Sequence, residues 1–253
     1  RRSGRQQKNS HLIPLSVALP ERTVKAEREQ LAEAVYTVVD VETTGGKPPL
    51  HKIIEIAGVR VERGLITGNY HSLVNPGRYI PPFVAEMTGI HEELVSAMPA
   101  AEEVMVGFLG FLGDSVFVAH NAAFDLMFLN HELQNMGMDA VGNLVLCTQK
   151  LAKRLVPEME RRSLDALAAR LGIPIEGRHR ALGDATATAR MLIAFLGKAV
   201  NIGIRTVDEL LHLQNSGPDR RPGLQYPDRR AAPQRAASDQ RRRNRAVAGG
   251  QPR

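Results

Sequence analysis

Residues 36–46 read YTVVDVETTGG, which has the β-branched and apolar composition of a buried central strand but carries two carboxylates, Asp40 and Glu42. Residues i and i+2 of a strand project from the same face, so these two side chains stand next to each other. Burial of adjacent carboxylates costs on the order of several kcal/mol per isolated ion. A shared proton, a basic partner or a cation must therefore compensate them, unless the strand end lies in water and both acids are solvated.

Two later stretches place further ionisable groups just after predicted elements. Asp125 lies in AHNAAFD, in the first turns of a helix that follows a strand, and RHRALGD carries His179 and Asp184 at the entry to a long helix. A histidine on the preceding loop and an aspartate in the first turns can face one cleft. Four carboxylates without a sulfur ligand favour Mg²⁺ or Mn²⁺ over zinc, and a single cysteine, Cys147, excludes a multi-cysteine zinc site.

The elements that must position these residues are predicted from the apolar patterns. Strands are expected near 35–41, 53–61, 65–74, 115–119 and 144–147, the second and third forming a hairpin. Helices are expected over 101–112, from 122 onward, 163–171, 181–200 and from a capping box at Thr206 to near Leu213, with Asn121 and Ser163 as further N-caps. This order predicts an α/β fold with a mixed sheet covered by helices on both faces.

The three stretches resemble, in order, the three motifs of the DEDDh family of 3′-to-5′ exonucleases. The motifs are DVETTG from Asp40, AHNAAFD around Asp125, and HRALGD from His179 to Asp184. Within that family the chain is most similar to the proofreading (epsilon) subunits and exonuclease domains of bacterial DNA polymerase III, over residues 34–195. The resemblance implies a ribonuclease H-like fold with a mixed five-stranded sheet flanked by helices.

The resemblance also assigns catalytic roles to five residues. Asp40, Glu42, Asp125 and Asp184 would hold two divalent ions, Mg²⁺ or Mn²⁺, and His179 would be the general base that activates the attacking water. Two such ions can stabilise both the attacking and the leaving oxygen of an in-line displacement at phosphorus. Histidine, with an ordinary pKa of about 6.5, suits proton abstraction near neutral pH. The ions would also offset the repulsion between the carboxylates.

Substrate contacts are predicted for five residues near the first two motifs. Thr43 and Thr44 follow the first strand, where a hydroxyl or backbone group can meet the terminal nucleotide, although Thr44 can equally serve as a turn-former. His120, Asn121 and Phe124 share the second motif. Phe124 can stack on a base, as aromatic residues do in single-strand binding, and a core position is the alternative.

The net charge of +6 is unevenly distributed along the chain. Residues 216–253 contain ten arginines and three aspartates, a net charge of +7, whereas residues 1–22 carry +4 and the remainder carries −5. The arginine- and proline-rich end has too few large apolar residues to fold alone, which predicts disorder. Such a tail can attract nucleic-acid phosphates or merely solvate the chain end.

The domain organisation predicted from these patterns has one folded body and two tails. Its parts are a basic N-terminal extension (1–31), an exonuclease domain (32–200), a short C-terminal helix (201–215) and a disordered tail (216–253). No apolar run approaches the roughly 18 residues that a membrane span needs. We therefore expect a soluble, cytoplasmic protein without a membrane partner.

The predicted function is release of nucleoside monophosphates from single-stranded or frayed DNA 3′ ends, either as a proofreading subunit acting in trans with a DNA polymerase or as a free-standing enzyme. An RNA-directed member of the same family is an alternative, because the five site residues do not discriminate the 2′-OH. A nucleic-acid-binding scaffold without catalysis is a third. Intact acids and His179 argue against it, since a scaffold has no need of uncompensated carboxylates.

Overall fold

The computed structural model of the protein describes residues 29–216, and in it five strands form a single mixed sheet. The strands are β1 (Val35–Thr43), β2 (Ile53–Glu62), β3 (Leu65–Leu73), β4 (Val116–Ala119) and β5 (Val145–Cys147). Their spatial order is β3-β2-β1-β4-β5. Strand β1 pairs antiparallel with β2 and parallel with β4, and β5 pairs parallel with β4. The predicted five-stranded mixed sheet and the β2–β3 hairpin are confirmed.

Eight helices flank the sheet within the described residues. They are α1 (Pro82–Thr88), α2 (Glu92–Val95), α3 (Ala101–Leu112), α4 (Ala122–Asn135), α5 (Thr148–Leu155), α6 (Leu164–Leu171), α7 (Ala181–Asn201) and α8 (Val207–Asn215). Ser163 caps α6 by accepting a hydrogen bond from Ala166, and Thr206 and Glu209 form the predicted capping box of α8. Helix α5 was not predicted, because it follows β5 directly and has no side-chain cap.

The two faces of β1 pack against different helices. Tyr36 and Val38 lie in the apolar cluster that includes the interior face of α7. Val39 and Val41 project the other way, into the cluster formed with α3 and α4. This alternation follows from the two-residue period of a strand. The carboxylates of the first motif continue the row of Tyr36 and Val38, so they lie at the end of β1 on the side covered by α7.

The parallel pairing of β1 and β4 brings the other motifs to the same edge of the sheet. The pairing ends with Val39 opposite Ala119. After Ala119 the chain turns into α4, whose first turn carries Asp125. Helix α7 packs on β1 and β2 and carries Asp184 in its first turn. The three motifs therefore meet at the carboxyl ends of β1 and β4, where open α/β sheets commonly bind ligands.

Helix α8 packs on the same core and covers the edge of β5. The side chain of Gln214 accepts a hydrogen bond from the amide of Cys147 at 2.8 Å and donates one to the carbonyl of Val145 at 2.9 Å. An edge strand with unpaired backbone groups would otherwise be open to pairing with another chain. Cys147 is buried at the end of β5.

The predicted tails lie almost entirely outside the described residues. Of the N-terminal extension, Gln30 forms a β-bridge with Thr206 and Leu31 is buried. The proposed boundaries between extension, exonuclease domain, C-terminal helix and tail stay predictions. Within residues 29–216, every helix is too short or too polar to span a membrane.

Candidate active site

The four carboxylates of the motifs meet in one cluster, in which burial and mutual repulsion disfavour the ionised form of the carboxyl groups. Asp125 and Asp184 are each only 3% exposed, and Asp40 and Glu42 are half-buried. Burial, followed by repulsion from Asp125 and Glu42, raises the pKa of Asp40 well above its ordinary value. Burial, together with the Asp184 charge, raises the pKa of Glu42 to about 7. The sequence prediction that these four side chains come together is thus matched by the geometry.

Asp125 is buried and is held against the end of β1. Burial raises its pKa to about 8, although hydrogen bonds from backbone amides, including that of Val41, oppose the shift. Val41 lies beyond Val39, the last residue of β1 paired with β4, so it has no partner in that ladder. Asp125 therefore meets a backbone amide of β1 beyond the end of the β1–β4 ladder.

The donor set fits a hard divalent cation. One possible ligand atom from each of Glu42, His179 and Asp184 lies within 4.8 Å of the other two. Asp184 Oδ1 is buried and accepts no hydrogen bond from any described residue. A buried oxygen left without a donor is unfavourable, and a cation at this point would satisfy it. Carboxylate oxygens with an imidazole nitrogen suit Mg²⁺ or Mn²⁺.

His179 lies in a left-handed turn immediately before α7. Its φ is 61°, a conformation that non-glycine residues rarely adopt. The amide of His179 donates a hydrogen bond to Asp184 Oδ2 at 3.3 Å, which ties the turn to the first turn of the helix. Such a backbone conformation persists only where its surroundings enforce it, and it is common at active sites.

Arg178 places a guanidinium inside the acidic cluster, a feature that the sequence analysis missed. Its Nε and Nη2 donate to the two carboxylate oxygens of Asp165 at 2.7 and 3.1 Å. Its Nη1 contacts Asp184 Oδ2 and lies 3.3 Å from His179 Nδ1. Burial raises the pKa of Asp184, and the positive charge of Arg178 opposes that rise. The pairing with Asp165 could not be read from spacing, because the two residues belong to different elements.

The two threonines predicted to meet the terminal nucleotide are engaged in the turn after β1. Thr43 Oγ1 donates to the Gly45 carbonyl at 2.7 Å. Thr44 is fully buried, and its hydroxyl accepts from the amide of Lys52 at 3.0 Å. The hydrogen bond of Thr44 stabilises the turn, which is the alternative role that the sequence predicted for this residue. Nucleotide contact by either threonine stays a prediction.

In the second motif, both ring nitrogens of His120 have partners within the protein, whereas Phe124 is half-buried and Asn121 is exposed. His120 is half-buried, with Nδ1 2.9 Å from Thr148 Oγ1 and Nε2 3.0 Å from the Arg162 carbonyl oxygen. Burial lowers the pKa of His120, which favours its neutral form. Phe124 is half-buried against Phe128, with ring centroids 5.1 Å apart.

Asn121 occupies the predicted N-cap position of α4, but its side chain does not cap the helix with a hydrogen bond. Its φ of 67° places the backbone in the left-handed region, and the side chain makes no capping hydrogen bond. A capping side chain normally extends from a β-region backbone. Asn121 is exposed, and substrate binding by His120, Asn121 and Phe124 remains a prediction.

Gly183, in the first turn of α7, leaves room for the loop that carries His179. A Cβ at this position would overlap the carbonyl oxygens of Glu176 and Gly177. We expect Gly183→Ala to displace the His179 turn and to lower kcat at least about tenfold, since misplacement of a catalytic group by about 1 Å can cost 10²-fold. Gly197→Ala on the same helix is the control, because its Cβ would meet no atom within 4 Å.

The two glycine variants are separated by steady-state kinetics and thermal melts. Gly197→Ala should keep full activity and gain up to about 1 kcal/mol of stability from helix propensity. If Gly183→Ala retained wild-type kcat, the loop and helix would not be coupled as the structure indicates.

The family model described as "Exonuclease" matches residues 37–192, which contain all three motifs. The chain belongs to the exonuclease family. It is 37% identical over 169 residues to the DNA polymerase III subunit epsilon of Aquifex aeolicus, an alignment that covers 67% of this chain and 84% of that one. The predicted resemblance and enzyme class, a 3′-to-5′ exonuclease, are confirmed.

Two further relatives extend the comparison. The PolC-type DNA polymerase III of Clostridium perfringens is 40% identical over 164 residues, 65% of this chain and only 11% of that much longer one. A solved structure described as exonuclease X in complex with 5′ overhanging duplex DNA is 29% identical, with a TM-score of 0.58, and the match covers 71% of this chain and 99% of that one. Exonucleases of this family are typically metal-dependent, which agrees with the clustered acids.

The raised carboxyl pKa values predict how pH and metal affect the stability of the exonuclease. Each carboxyl binds its proton more tightly in the folded state. Its contribution to folding stability is therefore greatest below its ordinary pKa, 4.5 for Glu42 and 3.8 for Asp125, and is lost as pH rises through about 7 for Glu42 and about 8 for Asp125. Divalent ions should reverse this loss at pH 8, because they favour the ionised carboxylates.

Thermal melts at pH 5, 6.5 and 8, in EDTA and in Mn²⁺, measure this effect. Relative to Asp125→Asn, the wild-type Tm in EDTA should fall by at least a few degrees between pH 5 and 8, since about 1 kcal/mol corresponds to roughly 2–4 °C for a domain of this size. Equal pH dependence of the two proteins would show that Asp125 does not carry the shift.

Proposed function

We propose that this exonuclease releases nucleoside monophosphates from single-stranded or frayed DNA 3′ ends, with two divalent ions held by Asp40, Glu42, Asp125 and Asp184. The observation that carries the proposal is the clustering of four carboxylates, one of which, Asp184, has a buried Oδ1 without a hydrogen-bond partner among the described residues. Mg²⁺ or Mn²⁺ is the ion class that this oxygen-rich set favours.

Each site residue has a separate task in the proposed hydrolysis. When bound, two divalent ions supply electrostatic stabilisation for the charge that develops on the attacking and leaving oxygens. His179 accepts the proton of the attacking water, as a general base poised at the edge of the carboxylate cluster. The exposed Asn121 and the half-buried Phe124 meet the terminal nucleotide, and the rigid turn of Thr43 and Thr44 shapes the end of the cleft.

The preference for DNA is supported by the relatives, two of which are named as DNA polymerase III components. Unpaired ends are favoured because the terminal base must leave its stack to reach the recessed carboxylates, and a mismatched base leaves at lower cost. We further propose a cytoplasmic enzyme that proofreads in trans for a DNA polymerase.

Substrate selection tests this proposal. Purified protein and Mn²⁺ or Mg²⁺ would be supplied with 5′-labelled single-stranded DNA, matched duplex, duplex with a 3′ mismatch, and single-stranded RNA of the same sequence. We expect single strands and mismatched ends to be shortened faster than matched ends, and DNA faster than RNA. Faster cleavage of RNA would favour the RNA-directed alternative. Retained binding without shortening of any substrate would favour the scaffold.

A further inference from the structure

A fifth acidic residue, Glu55, is fully buried beside the carboxylate cluster but belongs to none of the three motifs. It lies on β2 directly opposite Glu42 of β1, and its side chain has 0% exposure. A buried carboxylate of this kind is strongly unfavourable unless charged or hydrogen-bonding partners surround it. The surrounding partners therefore indicate what Glu55 does in the fold.

Both carboxylate oxygens of Glu55 are occupied by groups from two other elements. Arg180 donates from Nε to both oxygens, at 3.0 and 3.1 Å, and from Nη2 to Oε1 at 2.7 Å. The amide of Ala181 donates to Oε2 at 2.8 Å. On the opposite side, His71 Nε2 of β3 lies 2.7 Å from Oε1.

Two of these partners immediately follow His179 in the chain. Arg180 is the N-cap residue of α7 and Ala181 is its first residue, so Glu55 fixes the start of the helix to the central sheet. The helix has no side-chain cap of its own at Arg180. A carboxylate at a helix N-terminus satisfies a free amide and interacts favourably with the helix dipole.

On its other side, the left-handed turn of His179 is held by Arg178. That side chain forms a two-pronged ion pair with Asp165 of α6. The turn is thus fastened at Arg178 to α6 and at Arg180 to β2, with His179 between the two attachments. Attachments on both sides of His179 explain how a non-glycine residue keeps a φ of 61°.

We propose that Glu55 is a positioning residue for His179, acting through Arg180 and the Ala181 amide to hold the catalytic turn in its left-handed conformation. This inference rests on the proposed role of His179 as the general base. It gives the buried ion pair a function other than stabilising the fold, since buried ion pairs often contribute little net stability. Burial raises the pKa of Glu55, but the hydrogen bonds from Arg180, His71 and Ala181 outweigh it and lower the pKa overall, so the residue is a carboxylate when it performs this task.

The test is a double-mutant cycle between Glu55→Gln and His179→Ala in the full chain, assayed on single-stranded DNA with Mn²⁺. Glu55→Gln alone should lower kcat at least tenfold with KM changed less than threefold. In the His179→Ala background the same change should cost less than twofold, because the turn then holds no base to position. A purely structural residue would lower activity by the same factor in both backgrounds.

Arg180→Gln provides a second variant in case Glu55→Gln fails to fold. It removes the partly exposed partner and leaves Glu55 bonded to His71 and Ala181. It should show the same loss of kcat and the same lack of additivity with His179→Ala, and Arg180→Lys should restore part of the kcat. Mn²⁺-dependent stabilisation in thermal melts should be retained in all these variants, since the carboxylates of the cluster are unchanged.

Glu132→Gln is the matched control for loss of a buried carboxylate. Glu132 on α4 is also buried, and the residues that contact its carboxylate, Lys52 at 3.2 Å and Asn135 at 3.3 Å, do not belong to the His179 turn. Any effect of this variant should be the same with and without His179. Full additivity of both Glu55→Gln and Arg180→Gln with His179→Ala would overturn the inference, whereas an inactive wild-type protein would instead overturn the proposed function.

Discussion

Asp40→Ala is expected to lower exonuclease activity by at least about 10³-fold while the fold and nucleic-acid binding are retained. The charges of Asp125, Glu42 and Asp184 all act on Asp40, so we expect its loss to remove a proposed metal ligand from the cluster. A single well-placed electrostatic contact can contribute 10²–10³-fold to catalysis, and a lost ligand also weakens ion binding. Initial rates on 5′-labelled single-stranded DNA measure the loss of activity, and a binding titration in EDTA measures the retained nucleic-acid binding.

The same variant should make the metal-free protein more stable. Removal of a carboxyl whose ionisation is disfavoured relieves repulsion at pH 8, so the Tm of Asp40→Ala in EDTA should exceed that of the wild type. Glu62→Ala, at the opposite end of β2, is the control and should change neither property. If Asp40→Ala kept more than a tenth of wild-type activity, the proposed role of Asp40 as a metal ligand would be wrong.

His179→Ala has the second largest expected effect, a loss of about 10²–10⁴ in kcat with little change in KM. This is the contribution that a positioned general base makes to proton transfer. Because His179 also lies within 4.8 Å of ligand atoms of Glu42 and Asp184, the variant distinguishes a base from a metal ligand. A base leaves Mn²⁺ affinity nearly unchanged on removal, whereas a ligand does not.

The control for this variant is His212→Ala on α8, whose side chain is exposed. Mn²⁺ affinity is measured by calorimetric titration. The values of kcat and KM are measured by steady-state kinetics on single-stranded DNA. A tenfold or larger loss of Mn²⁺ affinity in His179→Ala would show that His179 is a metal ligand and not the general base.

The clustering of the acids was predictable in part because they break local rules. Asp40 and Glu42 interrupt an apolar strand, and Asp125 and Asp184 each lie in the first turn of a helix, whereas their catalytic roles were assigned by the family resemblance. The sheet was predictable for a related reason, since short β-branched runs and a tight turn after Glu62 leave few ways to pair the strands.

The groups that hold the site in place were not predictable in the same way. Glu55 also interrupts an apolar strand, and that signal could have identified it, but its partner Arg180 lies 125 residues away. The left-handed turns at Asn121 and His179 were not predictable either, because neither residue type by itself requires a positive φ. Contacts of this kind are set by the packed fold and leave no periodic trace in the sequence.

The most direct test of the account is a time course on 5′-labelled single-stranded DNA with protein stripped of metal by EDTA and then supplied with graded Mn²⁺ or Mg²⁺. We predict no cleavage in EDTA and, with either ion, stepwise shortening from the 3′ end with release of nucleoside monophosphates, absent in Asp40→Ala. Shortening that persists in EDTA or in Asp40→Ala would contradict a hydrolysis that depends on ions held by the carboxylate cluster.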